Sequence, residues 1–67
     1  MMTAYEYRIT VHTARETARH FHYNRHIAER VAQSLKQRPG WQRIVLERRD
    51  MSNQQSTFET LLTWEKK

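Results

Sequence analysis

The sequence predicts a small α+β domain in which two β-hairpins form one antiparallel sheet and a single helix covers one face of it. Three patterns lead to the order ββαββ: an alternating segment at 5–12, an apolar stripe with helical spacing at 24–38, and a second alternating segment at 56–65. A chain of 67 residues buries only about 60% of its unfolded surface. We therefore expect one domain over residues 1–67, with a single thin core.

The first strand is the clearest element of the sequence. Between Tyr5 and His12, large apolar or aromatic residues alternate with polar ones, as expected for a strand with one buried face. The inward row is Tyr5, Tyr7, Ile9 and Val11. The outward row is Glu6, Arg8, Thr10 and His12. These outward side chains begin the surface on which we expect the protein to act.

Two interpretations compete for the segment that follows. Residues 13–16 read Thr-Ala-Arg-Glu, which matches a helix capping box and would start one long helix over 14–38, giving the order βαββ. Alternatively, 17–23 forms a second strand, because Arg19, Phe21 and Tyr23 occupy alternate positions and Asn24 can cap a helix that starts next. The absence of Gly, Asn, Asp and Pro from 13–17 counts against a tight turn. We favour the hairpin.

The hairpin also offers a register with aromatic pairs. If Tyr7 faces Tyr23, then Ile9 faces Phe21 on the inner face, and pairs of this kind stabilise two-stranded sheets. The same register assigns three residues of the second strand to the outer face: Ala18, His20 and His22.

The helix is predicted for about 24–38. Its apolar stripe consists of Ile27, Ala28, Val31, Ala32 and Leu35, and this stripe should pack on the sheet. The pair Pro39-Gly40 should end the helix, because glycine suits a left-handed position and proline cannot continue the hydrogen-bond ladder.

A second hairpin is predicted from 41–49 and 56–65, joined by a polar connection at 50–55. Ile44 and Leu46 should face the core, with Val45 outward and opposite Leu61. A symmetric register also sets Glu47 opposite Glu59, an unfavourable pair, so the register or the loop length should differ by one residue. In the last strand, one row consists of Phe58, Thr60, Leu62 and Trp64.

Composition limits the classes of function. Twelve lysines and arginines against seven aspartates and glutamates give a net charge of +5, and nine of the twelve are arginine, whose fork suits phosphates and carboxylates. There is no cysteine, so neither disulfides nor thiolate metal sites are available. No apolar run is long enough for a membrane span or a signal peptide, so we expect a cytoplasmic protein without membrane contact.

The open face of the sheet is the predicted binding surface. On the registers above it carries the following candidates: Arg8, His12, His20, His22, Trp41, Arg43 and Arg49. The arginines could contact phosphates and Trp41 could stack on a base, so nucleic acid is the partner we slightly favour. A larger protein bound through Trp41, Val45 and Leu61 is the alternative. Size and composition are typical of accessory proteins of phages and mobile elements, which commonly act by occupying a surface of a larger host protein or of DNA.

Catalysis is not expected. Three serines lie in contexts without a paired histidine and carboxylate, and the single glycine excludes a glycine-rich phosphate loop. The two histidines of 20–22 lack a convincing third ligand, so we expect neither a metal nor a cofactor. A sheet edge with unpaired backbone groups could join two copies of the chain into a homodimer.

Overall fold

A computed structural model describes residues 4–66 of the chain. The elements follow one another in the order β1 (Tyr5–Thr13), β2 (Thr17–His22), α1 (Arg25–Lys36), β3 (Trp41–Asp50) and β4 (Glu59–Glu65). All four strands form one antiparallel sheet with the spatial order β2-β1-β3-β4. The predicted α+β class and ββαββ order are confirmed, and the alternative of one helix from residue 14 is wrong.

The turn between β1 and β2 is closed by a threonine side chain. The hydroxyl of Thr13 accepts hydrogen bonds from the backbone N–H groups of Arg15 and Glu16, and the N–H of Thr13 donates to the Glu16 carbonyl at 2.9 Å. Within residues 4–66, Gly40 alone has a positive φ, at 92°. The turn therefore needs none of the residues that left-handed hairpin turns require, because the side chain supplies the missing acceptor.

This turn sets a register that differs by one residue from the predicted one. Tyr7 pairs with His22 and Ile9 with His20, so the expected partners Tyr23 and Phe21 do not lie on the inner face. Phe21 instead pairs with Arg8 and is 50% exposed. A shift of one residue reverses every side chain of a strand, and β2 is therefore inverted relative to the prediction.

The helix is shorter at both ends than predicted. Asn24 is its N-cap, as expected, and accepts a hydrogen bond from the N–H of Ile27 at 3.1 Å. At the other end the helix finishes before Pro39 with Gln37 as its right-handed C-cap, so Gly40 does not occupy the predicted C′ position; its left-handed conformation instead leads the chain into β3.

A β-bulge resolves the like-charge conflict in the second hairpin. Between Leu46 and Glu47 the register shifts, Leu61 is the extra residue, and Glu59 lies opposite Arg48 instead of Glu47. Arg48 and Glu59 form an ion pair at 2.8 Å, and this hydrogen bond raises the pKa of Arg48 above its ordinary value. The bulge also divides the predicted row of β4: Leu62 and Trp64 pair with core residues of β3, whereas Thr60 pairs with Glu47 on the open face.

The core lies between α1 and the two central strands. Its fully buried members come from β1, α1 and β3, and the largest of them are Ile9, Ile44 and Leu46. Ala28 and Ala32 are small enough to bring the helix close to the sheet. Val45 faces outward as predicted, but its partner is Thr63, whereas Leu61 packs against the core. Ile27, assigned to the apolar stripe, is 50% exposed.

Candidate functional site

The open face brings together four of the predicted site residues: Arg8, His12, Arg43 and Arg49. Each of its three predicted arginines is paired with a glutamate of a neighbouring strand. Arg8 makes a two-point contact with Glu47, with both N–O distances at 3.0 Å. These cross-strand pairs occupy the guanidinium groups that were expected to meet phosphates.

The ring of Phe58 organises part of the same face. The guanidinium carbons of Arg8 and Arg49 lie 4.0 Å and 5.1 Å from its centroid, which is cation–π distance. Arg49 also donates to Glu6 at 2.6 Å, whereas its buried Nε lacks a hydrogen-bond partner among the described residues. Phe58, in the connection before β4, thus packs against two arginines of the sheet, and each of these arginines is paired with a glutamate.

The charge of the open face is nearly balanced. Its strands carry four arginines and three glutamates, a net charge of +1 when histidine is left out. Little of the middle of this face is in contact with solvent, because Thr10 and Val45 lie beneath longer side chains and are only 5% and 9% exposed. The protein's net charge of +5 therefore lies mainly elsewhere.

Three of the predicted site residues do not lie on the open face. His20 and His22 face the helix, because the register of β2 is shifted by one residue. Trp41 packs against the core, and its indole N–H donates to the Lys36 carbonyl at 3.0 Å. A register irregularity between His12 and Thr13 accompanies this position of Trp41. The predicted Arg/His face is thus two separate surfaces.

A groove runs between α1 and β2, on the side where these three residues lie. Its first part has a volume of about 490 Å³ and is lined by His20, Ile27, Arg30, Val31, Ser34, Leu35 and Arg38. A second part of about 280 Å³ shares His20, Leu35 and Arg38 and continues to Trp41 and the Thr13–Glu16 turn. We call these two parts together the α1–β2 groove. It follows most of β2 and joins aliphatic side chains to basic ones.

Arginines without ion pairs lie in and beside this groove. Among residues 4–66, four exposed arginines make neither an ion pair nor a side-chain hydrogen bond: Arg15, Arg19, Arg30 and Arg38. Arg30 and Arg38 line the groove, Arg19 lies on β2, and Arg15 lies in the turn at the end of the groove. Unpaired arginines therefore lie on both sides of β2: Arg30 and Arg38 on the groove side, where Glu16 is an acidic lining residue, and Arg19 on the open-face side.

The backbone of β2 is also unpaired along this flank, because β2 is an edge strand. The bond from Thr13 N–H to the Glu16 carbonyl marks a hydrogen-bonded pair, and such pairs alternate along an antiparallel ladder. In the observed register the backbone groups of Ala18, His20 and His22 point to β1. Those of Thr17, Arg19 and Phe21 consequently point away from the sheet.

Sequence reasoning missed the groove, although one signal was present. Ile27, Arg30, Ser34 and Arg38 recur at steps of three or four and form one stripe beside the apolar stripe of α1. A stripe of this kind is normally a solvated helix face. Only the position of β2 turns it into one wall of a groove.

Within residues 4–66, no group of three or more histidines or acidic residues is close enough to hold a metal ion. In the same part of the chain, no helix has the length and apolar character needed to cross a membrane. Comparison with family models, curated proteins and solved structures finds no significant match for this chain.

Proposed function

We propose that the protein is a non-enzymatic binding module that holds an acidic partner protein in the α1–β2 groove. One observation carries the proposal: arginines without ion pairs line the same groove as the exposed side chain of Ile27 and the partly buried Val31. This is the protein-binding alternative raised by the sequence. Its location moves from the open face to the flank, and Trp41 remains part of it at the end of the groove.

The pairing of the other arginines supports the choice of this surface. A partner that binds Arg8, Arg43 or Arg49 must compete with a glutamate already in contact with each of them. A partner that binds Arg30 or Arg38 forms new charge-assisted hydrogen bonds without breaking old ones. Electrostatic attraction from a mainly basic flank also accelerates the encounter with an acidic surface.

The aliphatic residues favour protein over nucleic acid in the groove. Ile27 is 50% exposed beside Val31, and a phosphate backbone gains nothing from covering such side chains. A protein partner buries them and gains about 25 cal/mol for each Å² of apolar area removed from water. The proposed partner therefore presents acidic and apolar side chains together.

The proposal is tested by affinity capture from the native cell, with mass spectrometry and nucleic-acid sequencing on the same eluate. The variant Arg30→Ala/Arg38→Ala should lose the proteins that the unmodified chain retains. The control Arg25→Ala/Arg43→Ala removes the same charge away from the groove and should retain them. Equal loss in both variants would show that net charge alone governs binding and would contradict the proposal.

Nucleic-acid binding through the open face is the second candidate, and Phe21 is the observation that favours it. Phe21 is half exposed, lies opposite Arg8 and has Arg19 two positions away on the same face. This arrangement offers stacking beside a cation without an ion pair. If it operates, a gel-shift titration should show affinity falling steeply with salt, and Phe21→Ala or Arg19→Ala should weaken binding. No binding even at low salt would exclude it.

A further inference from the structure

We propose that the partner enters the α1–β2 groove as an extended acidic segment that adds to β2 as a fifth strand of the sheet. This inference rests on the proposed function and specifies its mode. An extended peptide gains affinity from backbone hydrogen bonds at an open edge and specificity from pockets that receive every second side chain. Both features are present on β2.

The edge supplies the backbone partners. The outward N–H and C=O groups of Thr17, Arg19 and Phe21 repeat every second residue, as an antiparallel ladder requires. The six residues of β2 span about 20 Å at roughly 3.3 Å per residue, which is enough for a short added strand.

The groove supplies the side-chain pockets. Side chains of the added strand that point to the helix side meet Ile27 and Val31 at one end and Arg38 at the other. Those on the opposite side pass Arg19 and Phe21. The best match is a strand whose helix-side residues are apolar at one end and acidic at the other. Its residues on the opposite side should be acidic.

Charge determines which kind of strand can pair with the edge strand β2. β2 contains Arg19, His20 and His22 and no acidic residue, so an acidic strand is attracted and a second copy of β2 is not. The opposite edge, β4, contains no basic residue, and its Glu59 and Glu65 are already paired with arginines of β3, so it offers no cation to the same segment. An acidic partner strand therefore has one compatible edge on this molecule.

The first measurement selects binders from a displayed library of random peptides about eight residues long. The full chain is the immobilised target. Enriched sequences should combine acidic with β-branched residues at a spacing of two. A consensus with helical spacing of three and four, or no enrichment, would overturn the strand-addition proposal. A synthetic peptide with the selected consensus is the probe for the experiments that follow.

The second measurement compares Arg19→Pro with Arg19→Ala. Both remove the charge, but only proline removes the outward N–H, and proline is tolerated where an edge N–H faces solvent. Arg19→Pro should weaken peptide binding at least about tenfold more than Arg19→Ala, as expected for a lost backbone bond in a desolvated contact. The amide spectrum of each variant checks that the sheet is intact. Equal affinities would overturn the proposal.

Hydrogen exchange provides a readout that does not depend on a substitution. On addition of the peptide, the amides of Thr17, Arg19 and Phe21 should become protected, whereas that of His20, which already points to β1, should change little. Protection confined to the helix would overturn strand addition. Arg30→Ala/Arg38→Ala could abolish capture of the cellular partner while the peptide leaves the amides of β2 unprotected. That result would support binding in the groove and overturn strand addition as the mode of binding. Concentration-dependent dimerisation through β2, measured by sedimentation, would overturn the proposed occupant.

Discussion

Glutamate partners determine what each arginine of this protein can do. The sequence does not show whether Arg8 or Arg38 has a glutamate partner, because neither has an acidic residue next to it in the chain. The structure gives Arg8 a two-point contact with Glu47 and leaves Arg38 at the rim of a groove. Cross-strand pairs depend on register, and register is the property that alternation alone does not fix. The residue types at the site were therefore predictable, but their availability was not.

The Arg8–Glu47 pair should contribute measurably to stability. Its side chains are only 25% and 16% exposed, and Thr10 also donates to Glu47, at 3.4 Å. Glu47→Ala leaves a partly buried guanidinium unpaired and should lower the free energy of unfolding by about 1–3 kcal/mol. Urea denaturation measures this. The matched control Glu29→Ala removes the exposed Arg25–Glu29 pair and should cost less than about 0.5 kcal/mol. Equal losses would contradict the distinction between the two pairs.

Asp50 should show a pH effect that depends on one serine. Hydrogen bonds from the side chain and backbone of Ser52 hold the pKa of Asp50 below its ordinary value. Because the folded-state pKa is depressed, the associated stability is present above the unfolded value of about 4 and is lost as the pH falls through the lowered pKa. Ser52→Ala should raise the pKa of Asp50 in a carboxyl NMR titration. Ser56→Ala, which removes the acceptor for the Asp50 N–H, should leave it unchanged.

At the scale of elements, local sequence patterns predicted which segments form the strands and the helix. The turns determined the register in which the strands pair. The alternation of 5–12 and the Asn24 cap are confirmed, whereas the helix ends at Lys36, before the Pro39-Gly40 pair that was expected to stop it. The aromatic pairing expected for β1 and β2 did not form, because the three-residue connection closed by Thr13 fixes the register. The edge strand β2 is only partly covered, and its sequence has too few apolar residues to show which of its side chains face the core.

Thr13 is consequently the residue that holds the first hairpin in register. Thr13→Ala removes the acceptor for two backbone N–H groups and should destabilise the protein by about 1 kcal/mol. Thr13→Ser keeps the hydroxyl and should retain most of the stability. Thermal unfolding followed by circular dichroism compares the two. If both variants lose stability equally, the hydroxyl is not what closes the turn.

At the scale of the whole molecule, a thin core supports a sheet with one covered face. Among residues 4–66, nine hydrophobic residues are buried, and only Ile9, Ile44 and Leu46 are large and fully enclosed. The sequence predicted these three as core residues, Ile9 from the alternation of β1 and Ile44 and Leu46 from the apolar run of β3. It could not predict the α1–β2 groove, which arises from where the helix lies across an edge strand.

Loss of one large core side chain should therefore have a large effect. Leu46→Ala should lower the free energy of unfolding by about 2–5 kcal/mol, a major fraction of what a domain of this size possesses. Leu62→Ala makes the same chemical change at a position that is 42% exposed, and it should cost less than about 1 kcal/mol. Urea unfolding of both variants measures the difference. Similar values would show that Leu46 is not enclosed as the structure indicates.

The pairing of β1 with β3 has a consequence for how the protein unfolds. These strands belong to different hairpins, so each hairpin covers its apolar row only when the other hairpin and the helix are in place. A two-stranded hairpin is at best marginally stable by itself in water. Neither half can persist without the other, and the chain is expected to unfold as one cooperative unit, with no half-folded state that retains a working groove.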